Sequence, residues 1–308
     1  MRLSGGNPAF CYNASMDDAK ELPLILGFVA DLYFTVRIES TAERLGYRVK
    51  WIERGEQIAP PEPDPPWRQL GEHLVGPGAA LLDQVSLWRP ALILFDLDNK
   101  AVPWEEWIML LTSVPATRRI PVMCFGSHRD VESMRAAKSA GAKLVLARSR
   151  FISELPELIQ KHARVPDPAA LQEACRQPLT ADAIRGLQEF NRGEYFEAHE
   201  SLETAWMADE GVGRDLYRAV LQVAVAYYQI ERANYNGAAK MFLRMRQWIE
   251  PLPDTCRGID VAQLRADAHK VHQAMLELGP ERLYEFDLSL LRPVRYTLSG
   301  EAGPEPAL

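Results

Sequence analysis

The sequence predicts two folded parts in series: an α/β part built on a parallel sheet over residues 22–163, and an all-helical bundle over 180–298, joined by a linker at 164–179. Three observations carry this reading. Between residues 24 and 162, short apolar runs alternate with helical patterns five times, the pattern of parallel strands covered on both faces. From Thr180 onward, helical periodicity meets no competing strand signal before the tail. Between them, RVPDPAALQEACRQP (164–178) has three prolines and a mixed pattern, with room for one helical turn.

In the first part, LILGFV (24–29) is a buried strand and 32–45 a helix stopped by Gly46. YRVKWI (47–52) alternates as a second strand. APPEPDPP (59–66) is a stiff exposed loop, because five prolines in eight residues extend neither a helix nor a strand. A helix at 78–88 precedes the most apolar strand, ALILFDL (91–97). The remaining expectations are helices at 104–111, 129–140 and 153–162, and strands at 120–125 and 144–147. Residues 1–21 and those after Leu298 are polar and unpatterned and read as loose tails.

The second part reads as helices at 180–190, 194–207, 213–233, 236–250 and 260–278. Thr180 caps the first, with Asp182 in its opening turn. AVLQVAVAYY (219–228) has one polar side chain, Gln222, so its helix belongs at the centre of the bundle. Val261, Leu264, Ala268, Val271, Met275 and Leu278 form a three-four seam flanked by His272, with His269 further round. Arg192, Tyr195, Ala198 and Leu202 recur forty residues later as Arg232, Tyr235, Ala238 and Phe242, a weak helix-pair repeat similar to tetratricopeptide packing. RLYEFDLSLLRPVRY (282–296) is apolar enough to dock on the bundle or on the first part.

Composition limits function. A net charge of -7 over 308 residues argues against a general nucleic-acid or anionic-membrane binder. Cys11, Cys124, Cys175 and Cys256 form no CxxC pair and read as reduced thiols. No apolar run reaches membrane-spanning length, and the N-terminus lacks the apolar centre of a signal peptide, so a cytoplasmic protein is expected.

The candidate chemistry lies in FNRGEYFEAHESLETAW (190–206), a helix opened by a turn at Asn191-Arg192-Gly193. Phe196, His199, Glu203 and Trp206 step by three, four and three, which predicts one face with Leu202 and Tyr195 beside it. An imidazole and a carboxylate on an apolar face need partners, and Gln222 on the next helix is the expected one. The sharper alternative is a metal site. HE-x-x-E sets His199 and Glu203 one turn apart, with Glu200 as a base and His269 or His272 completing the shell, although the second His of a zincin is absent. A third reading is a small polar ligand pocket walled by Trp206 and Tyr227 or Tyr228. Lys240, Arg244 and Arg246 with Trp248 make a basic aromatic helix, read here as a solvated face and not as a nucleic-acid surface.

Two resemblances add to this. LGY (45–47), RPALILFDLD (89–98), PATRRIPV (115–122) and SAGAKLVLARS (139–149), in that order, resemble the response-regulator receiver domain, a flavodoxin-like fold. The resemblance implies a phosphoryl-accepting aspartate at Asp96 and a Mg²⁺-holding acidic pair where Val29 and Ala30 stand, with Asp31 one place late. It implies a hydroxyl at Gly126, next to Ser127, and a lysine at Arg148. Mg²⁺ needs near-octahedral oxygen ligands and phosphoryl transfer needs charge neutralisation, so Asp96 is expected to be a remnant unless Asp31 and Asp98 substitute. Phe190, Asn191, Gly193, Phe196, His199, Glu200, Glu203, Trp206, Asn234, Gly237 and Ala238 resemble the signature of the all-helical family called domain of unknown function 309, over about 182–278. That resemblance implies a fold and no activity.

The expectation is therefore a non-enzymatic signalling or scaffold protein. A degenerate receiver, formerly part of phosphorelay chemistry, pairs or docks, giving a homodimer, and a bundle binds a protein partner or small ligand. No cofactor is expected. The alternatives are a metal-dependent enzyme on His199, Glu200 and Glu203, and a response regulator phosphorylated at Asp96.

Overall fold

A computed structural model describes residues 22–58 and 76–298. The expected proline loop at 59–66, the two tails and Cys11 lie outside the described residues. Five parallel strands, β1 Leu24–Phe28, β2 Arg48–Trp51, β3 Leu92–Asp96, β4 Val122–Gly126 and β5 Leu144–Ala147, form one sheet in the order β2-β1-β3-β4-β5. Alternation along the strands divides the core. Leu26, Phe28, Ile93, Phe95, Val122 and Cys124 face α2 Gly76–Trp88, α3 Trp104–Ser113 and α4 Val131–Ser139. Ile25, Leu92, Leu94, Met123 and Phe125 face α1 Leu32–Arg44 and α5 Arg148–His162. The sheet is thus covered on both sides, which is why β1, β3 and β4 read as unbroken apolar runs. The topology is the flavodoxin-like one. Helix α5 begins at Arg148 and not at 153, continuing through Pro156.

The C-terminal part is helical. Helix α6 (Pro168–Cys175) occupies the expected linker, started by Asp167, whose side chain accepts from Ala169 N and Ala170 N. The bundle helices are α7 Ala181–Asn191, α8 Tyr195–Ala208, α9 Asp215–Glu231, α10 Tyr235–Ile249 and α11 Val261–Leu278. Helix α9 is central as expected and packs on both α8 and α10. Residues 280–296 dock across the bundle and not on the sheet part: Asn191 exchanges hydrogen bonds with the Val294 backbone at 2.9 and 2.7 Å.

The exposed face of α8 differs from the expected seam. Its buried residues are Tyr195, Ala198, Ser201, Leu202 and Ala205, whereas Phe196 is 49% exposed. The buried stripe lies one residue round from 196-199-203-206. Small side chains set it: Ala198 and Ala205 let α8 approach its neighbours, and a Cβ added at Gly186 on α7 would lie 2.7 Å from Leu202 Cγ. Within the forty-residue repeat, Ala198, Leu202, Ala238 and Phe242 are all buried.

Two features of the second part overturn expectations. A two-stranded hairpin, β6 Thr255–Cys256 and β7 Ile259–Asp260, sits where no strand was expected. Its turn residues Arg257 and Gly258 both have positive φ (52° and 83°), the geometry of a two-residue hairpin loop. Arg257 is held there by Tyr217 Oη (2.6 Å), the Ala174 carbonyl (3.2 Å) and an ion pair with Asp209 (2.7 Å). Second, Cys175 and Cys256 are not reduced thiols but a disulfide joining α6 to the hairpin, while Cys124 is free and buried. The fold-back of α6, anchored by Arg257 N donating to the Cys175 carbonyl at 2.7 Å, brings the two cysteines together across 81 residues of sequence.

The two parts meet through polar and cation–ring contacts centred on one buried arginine. Arg246 on α10 is buried and its Nη1 donates to Asp83 O (3.1 Å), Asp83 Oδ1 (2.7 Å) and Ser86 Oγ (2.9 Å) on α2. Gln247 Nε2 donates to the Pro115 carbonyl at 3.0 Å. Arg119, before β4, lies 4.4 Å from the Trp248 ring centroid. Trp248 and Arg246 are both buried, so α10 does not present the solvated face expected of it.

Closing a loop of this length restricts the unfolded chain, so reducing the disulfide should lower stability by about 2–4 kcal/mol. Denaturant unfolding with and without reductant measures this. Alkylation of all four cysteines in unfolded, unreduced protein would contradict the bridge.

His272 is buried against Phe242, ring centroids 4.8 Å apart, and burial, Arg246 and His269 push its pKa from 6.5 down to about 3. It takes up a proton only on unfolding, so its stabilisation is complete above 6.5 and is lost as pH falls from there toward 3. Between about pH 7 and about pH 5 the chain should lose on the order of 2 kcal/mol through this group. His272→Phe, which keeps the ring stack, should lose correspondingly less; an identical pH slope in both would refute the assignment.

Candidate functional site

Asp96 ends β3 and is buried. The carboxyl-terminal edge of a parallel sheet is where loops converge on ligands, and the strand order places β3 between β1 and β4. Arg148 opens α5 directly after β5, and its Nη2 lies 3.1 Å from both Asp96 oxygens and 2.9 Å from Asp98 Oδ2. Asp98 N donates to Asp96 Oδ1 at 3.1 Å. The Arg148 guanidinium also lies 4.9 Å from the Phe34 ring centroid. Burial raises the Asp96 pKa; the Asp98 N–H and Arg148 pull it back and the Asp98 charge pushes it up again. A single guanidinium thus contacts two carboxylates.

The other positions do not supply what the receiver resemblance implies. Val29 is fully buried hydrocarbon where the first acidic residue would stand. Asp31 does not substitute for the missing pair: it caps α1, accepting from Tyr33 N at 2.9 Å. Asp98 does not substitute either, because Arg148 holds it. Gly126 stands at the hydroxyl position, where an added Cβ would be 3.1 Å from Leu97 Cβ, and Ser127 Oγ accepts from Arg129 N at 3.3 Å. Two carboxylates already paired with an arginine, beside a valine, do not fit an octahedral divalent cation.

The α8 cluster is half-exposed. His199, Glu203 and Trp206 are half-buried and Glu200 is exposed. Among the described residues no hydrogen bond or ion pair joins His199, Glu203 and Gln222, and the buried Gln222 Oε1 has no partner. The network expected to fix helix register is therefore not formed, because the one-residue rotation of α8 turns His199 and Glu203 to its flank. His199 has Phe196 beside it (6.4 Å between centroids), and Phe196 in turn approaches Tyr228 (5.8 Å). Tyr227 is fully buried and walls no pocket there.

The two histidines expected to complete a metal shell lie elsewhere. His272 is stacked on Phe242, and His269 Nε2 is 3.0 Å from Glu250 Oε1. Burial opposes ionisation of Glu250, yet His269, Arg89 and Arg265 together hold its carboxyl below the ordinary range. Among the described residues no three His, Cys, Asp or Glu side chains come together to hold a metal ion.

Trp206 has a different role from the expected one. Its ring meets both Arg214 (4.7 Å) and Arg218 (4.4 Å), and Arg218 lies 4.3 Å from Trp248, whose ring also meets Arg119. Arg214, Trp206, Arg218, Trp248 and Arg119 form one alternating stack from α8 to the sheet part. The tryptophans were visible in the sequence; the arginines that flank them come from two segments far apart in it, the start of α9 and the loop before β4.

Among solved structures, a response regulator in red light signalling of R. palustris is 17% identical, covers 47% of this chain and 99% of that one, and has a TM-score of 0.35. The receiver domain of a sensor histidine kinase from Pseudomonas aeruginosa PAO1, solved with a coordinated magnesium ion, is 18% identical over 46% of this chain and 96% of that one, with a TM-score of 0.34. A response regulator from Thermotoga maritima is 12% identical over 46% and 96%, with a TM-score of 0.31. Among curated proteins, an uncharacterised protein of Aquifex aeolicus (strain VF5) is 27% identical over 84 residues, which are 27% of this chain and 25% of that protein. The helical part carries a match to a named family: residues 183–241 fit the model described as domain of unknown function (DUF309).

Proposed function

We propose that this chain is a non-enzymatic signalling or scaffold protein in which a receiver-like half has lost its phosphoryl chemistry and serves as a docking or pairing surface, while the helical half binds a protein partner or small ligand. One observation carries the reading: Arg148 occupies both oxygens of Asp96 and one of Asp98. A phosphoryl acceptor must present a free carboxylate oxygen to an in-line donor beside a divalent cation. Here that oxygen is engaged, and the cation lacks ligands.

Exposed apolar side chains support the docking role. Leu32, Tyr33 and Val36 project from α1 at 75%, 55% and 55% exposure, a surface suited to a second copy of the chain. On the helical half, Phe196 and Met207 of α8 are similarly exposed beside His199 and Glu203. These form a surface for a partner, and no specific observation favours the metal-enzyme reading of the same residues. No helix among the described residues is long and apolar enough to cross a membrane. The proposed setting is the cytoplasm; the Cys175–Cys256 bridge pulls the other way, since disulfides persist mainly in oxidising compartments.

Intact-mass measurement after incubation with a small phosphodonor and Mg²⁺ tests the proposal. The expected result is no covalent gain under conditions that label a competent receiver. A gain that disappears in Asp96→Asn would overturn it and restore the response-regulator alternative.

A further inference from the structure

The edge of the sheet opposite Asp96 carries a second candidate site. Two clefts lie there, of about 340 and 500 Å³, and they share Arg119, Ile120 and Arg164. The larger is formed where β4 and β5 begin: Pro121 and Val122 start β4, and Lys143 precedes β5. Its charged lining is Arg118, Arg119, Lys143, Lys161, His162 and Arg164, with no carboxylate. The smaller runs between the sheet part and the bundle. It adds an apolar wall including Val85, Pro90, Leu171 and Leu252, and its acidic residues are Asp167 and Asp215.

This concentration of cations sits in a chain of net charge -7, so it is a local feature and not a reflection of composition. Among the described residues, Arg118, Arg119, Arg164, Lys143 and Lys161 make no ion pair and no side-chain hydrogen bond. The Nε of Arg214, buried beside them, has no partner. The like charges act on one another: burial, with Arg164, Arg118 and Arg214, lowers the Arg119 pKa, and burial, with Lys143 and Lys161, lowers that of His162. Asp215 is a counter-charge to them; burial raises its pKa although Arg119, Arg218, Arg164 and Arg214 all favour its ionised form. Holding so many cations around two carboxylates costs free energy that a bound anion would offset.

We infer that the joined clefts bind a small polyphosphate-bearing molecule, specifically a nucleoside triphosphate. Its phosphates lie against Arg118, Arg119, Arg164 and Lys143, and its nucleoside lies in the apolar cleft between sheet part and bundle. Arginine forks match phosphate oxygens, and the smaller cleft has the volume of a small-molecule site. The negative total charge favours a compact ligand over a long polyanion, which would meet repulsion beyond the groove. Because the cleft is walled by both parts of the chain, an occupant would bear on how they sit together.

Titration calorimetry of the full chain with ATP, with pyrophosphate and with a single-stranded oligonucleotide tests this, using Arg118→Glu/Arg164→Glu as the variant. Both residues are exposed, and an unchanged melting temperature confirms the fold; Lys143→Glu/Lys161→Glu serves if the first variant does not fold. The expected result is saturable ATP binding that weakens with salt, falls at least about tenfold in the variant, and exceeds pyrophosphate binding. No ATP binding, or binding indifferent to the charge reversals, overturns the site. Pyrophosphate binding as tightly as ATP overturns the nucleoside assignment. An oligonucleotide binding more tightly than ATP overturns the small-molecule class in favour of nucleic acid.

Discussion

An arginine taken out of water at the junction, Arg246, ties the two parts of this structure together. Arg246 crosses from the bundle to α2, where it finds a carboxylate, a hydroxyl and a carbonyl. Burying a guanidinium is costly unless its donors are satisfied, so this contact tolerates little sliding of one part against the other. Beside it, the alternating stack of Arg214, Trp206, Arg218, Trp248 and Arg119 ties α8, α9 and α10 to the loop before β4. Each cation–ring contact contributes about 0.5–2 kcal/mol, depending on desolvation, so the stack rivals a small apolar interface while remaining directional. These contacts also fix the walls of the basic cleft.

The two ends of the sheet have opposite electrostatic characters. At the carboxyl-terminal edge, Arg148 pairs with both Asp96 and Asp98. At the other edge, arginines and lysines outnumber the carboxylates Asp167 and Asp215. The same sheet and helices carry a paired acidic cluster at one end and a basic cleft at the other. The difference lies in a few side chains and not in the backbone.

The fold was largely legible in the sequence because parallel strands buried on both faces must be continuously apolar, and ALILFDL can be little else. The bundle helix limits came within a few residues, and the Thr180 cap marks the first of them chemically, whereas α6 was read as linker and the start of α5 was placed five residues late. The face of α8 was misread because large residues were weighted over small ones. Ala198 and Ala205 are buried by close helix approach, which leaves Phe196 outside. The hairpin escaped notice because an arginine takes its first left-handed position, held by contacts with Tyr217 and Asp209 that are distant in sequence. The disulfide was missed for a related reason: nothing local predicts that α6 folds back on Cys256. At the candidate sites, the residue types were visible but their pairing was not. Arg148 was recognisable as a substituted lysine, yet its reach to Asp98 needed coordinates.

Calorimetric unfolding of the full chain tests most directly whether the junction arginines make one body of the two parts. The account predicts one cooperative transition, with calorimetric and van't Hoff enthalpies in agreement, and separation into two transitions in Arg246→Ala. Two independent transitions in the unaltered chain, or an Arg246→Ala profile indistinguishable from it, would contradict the account.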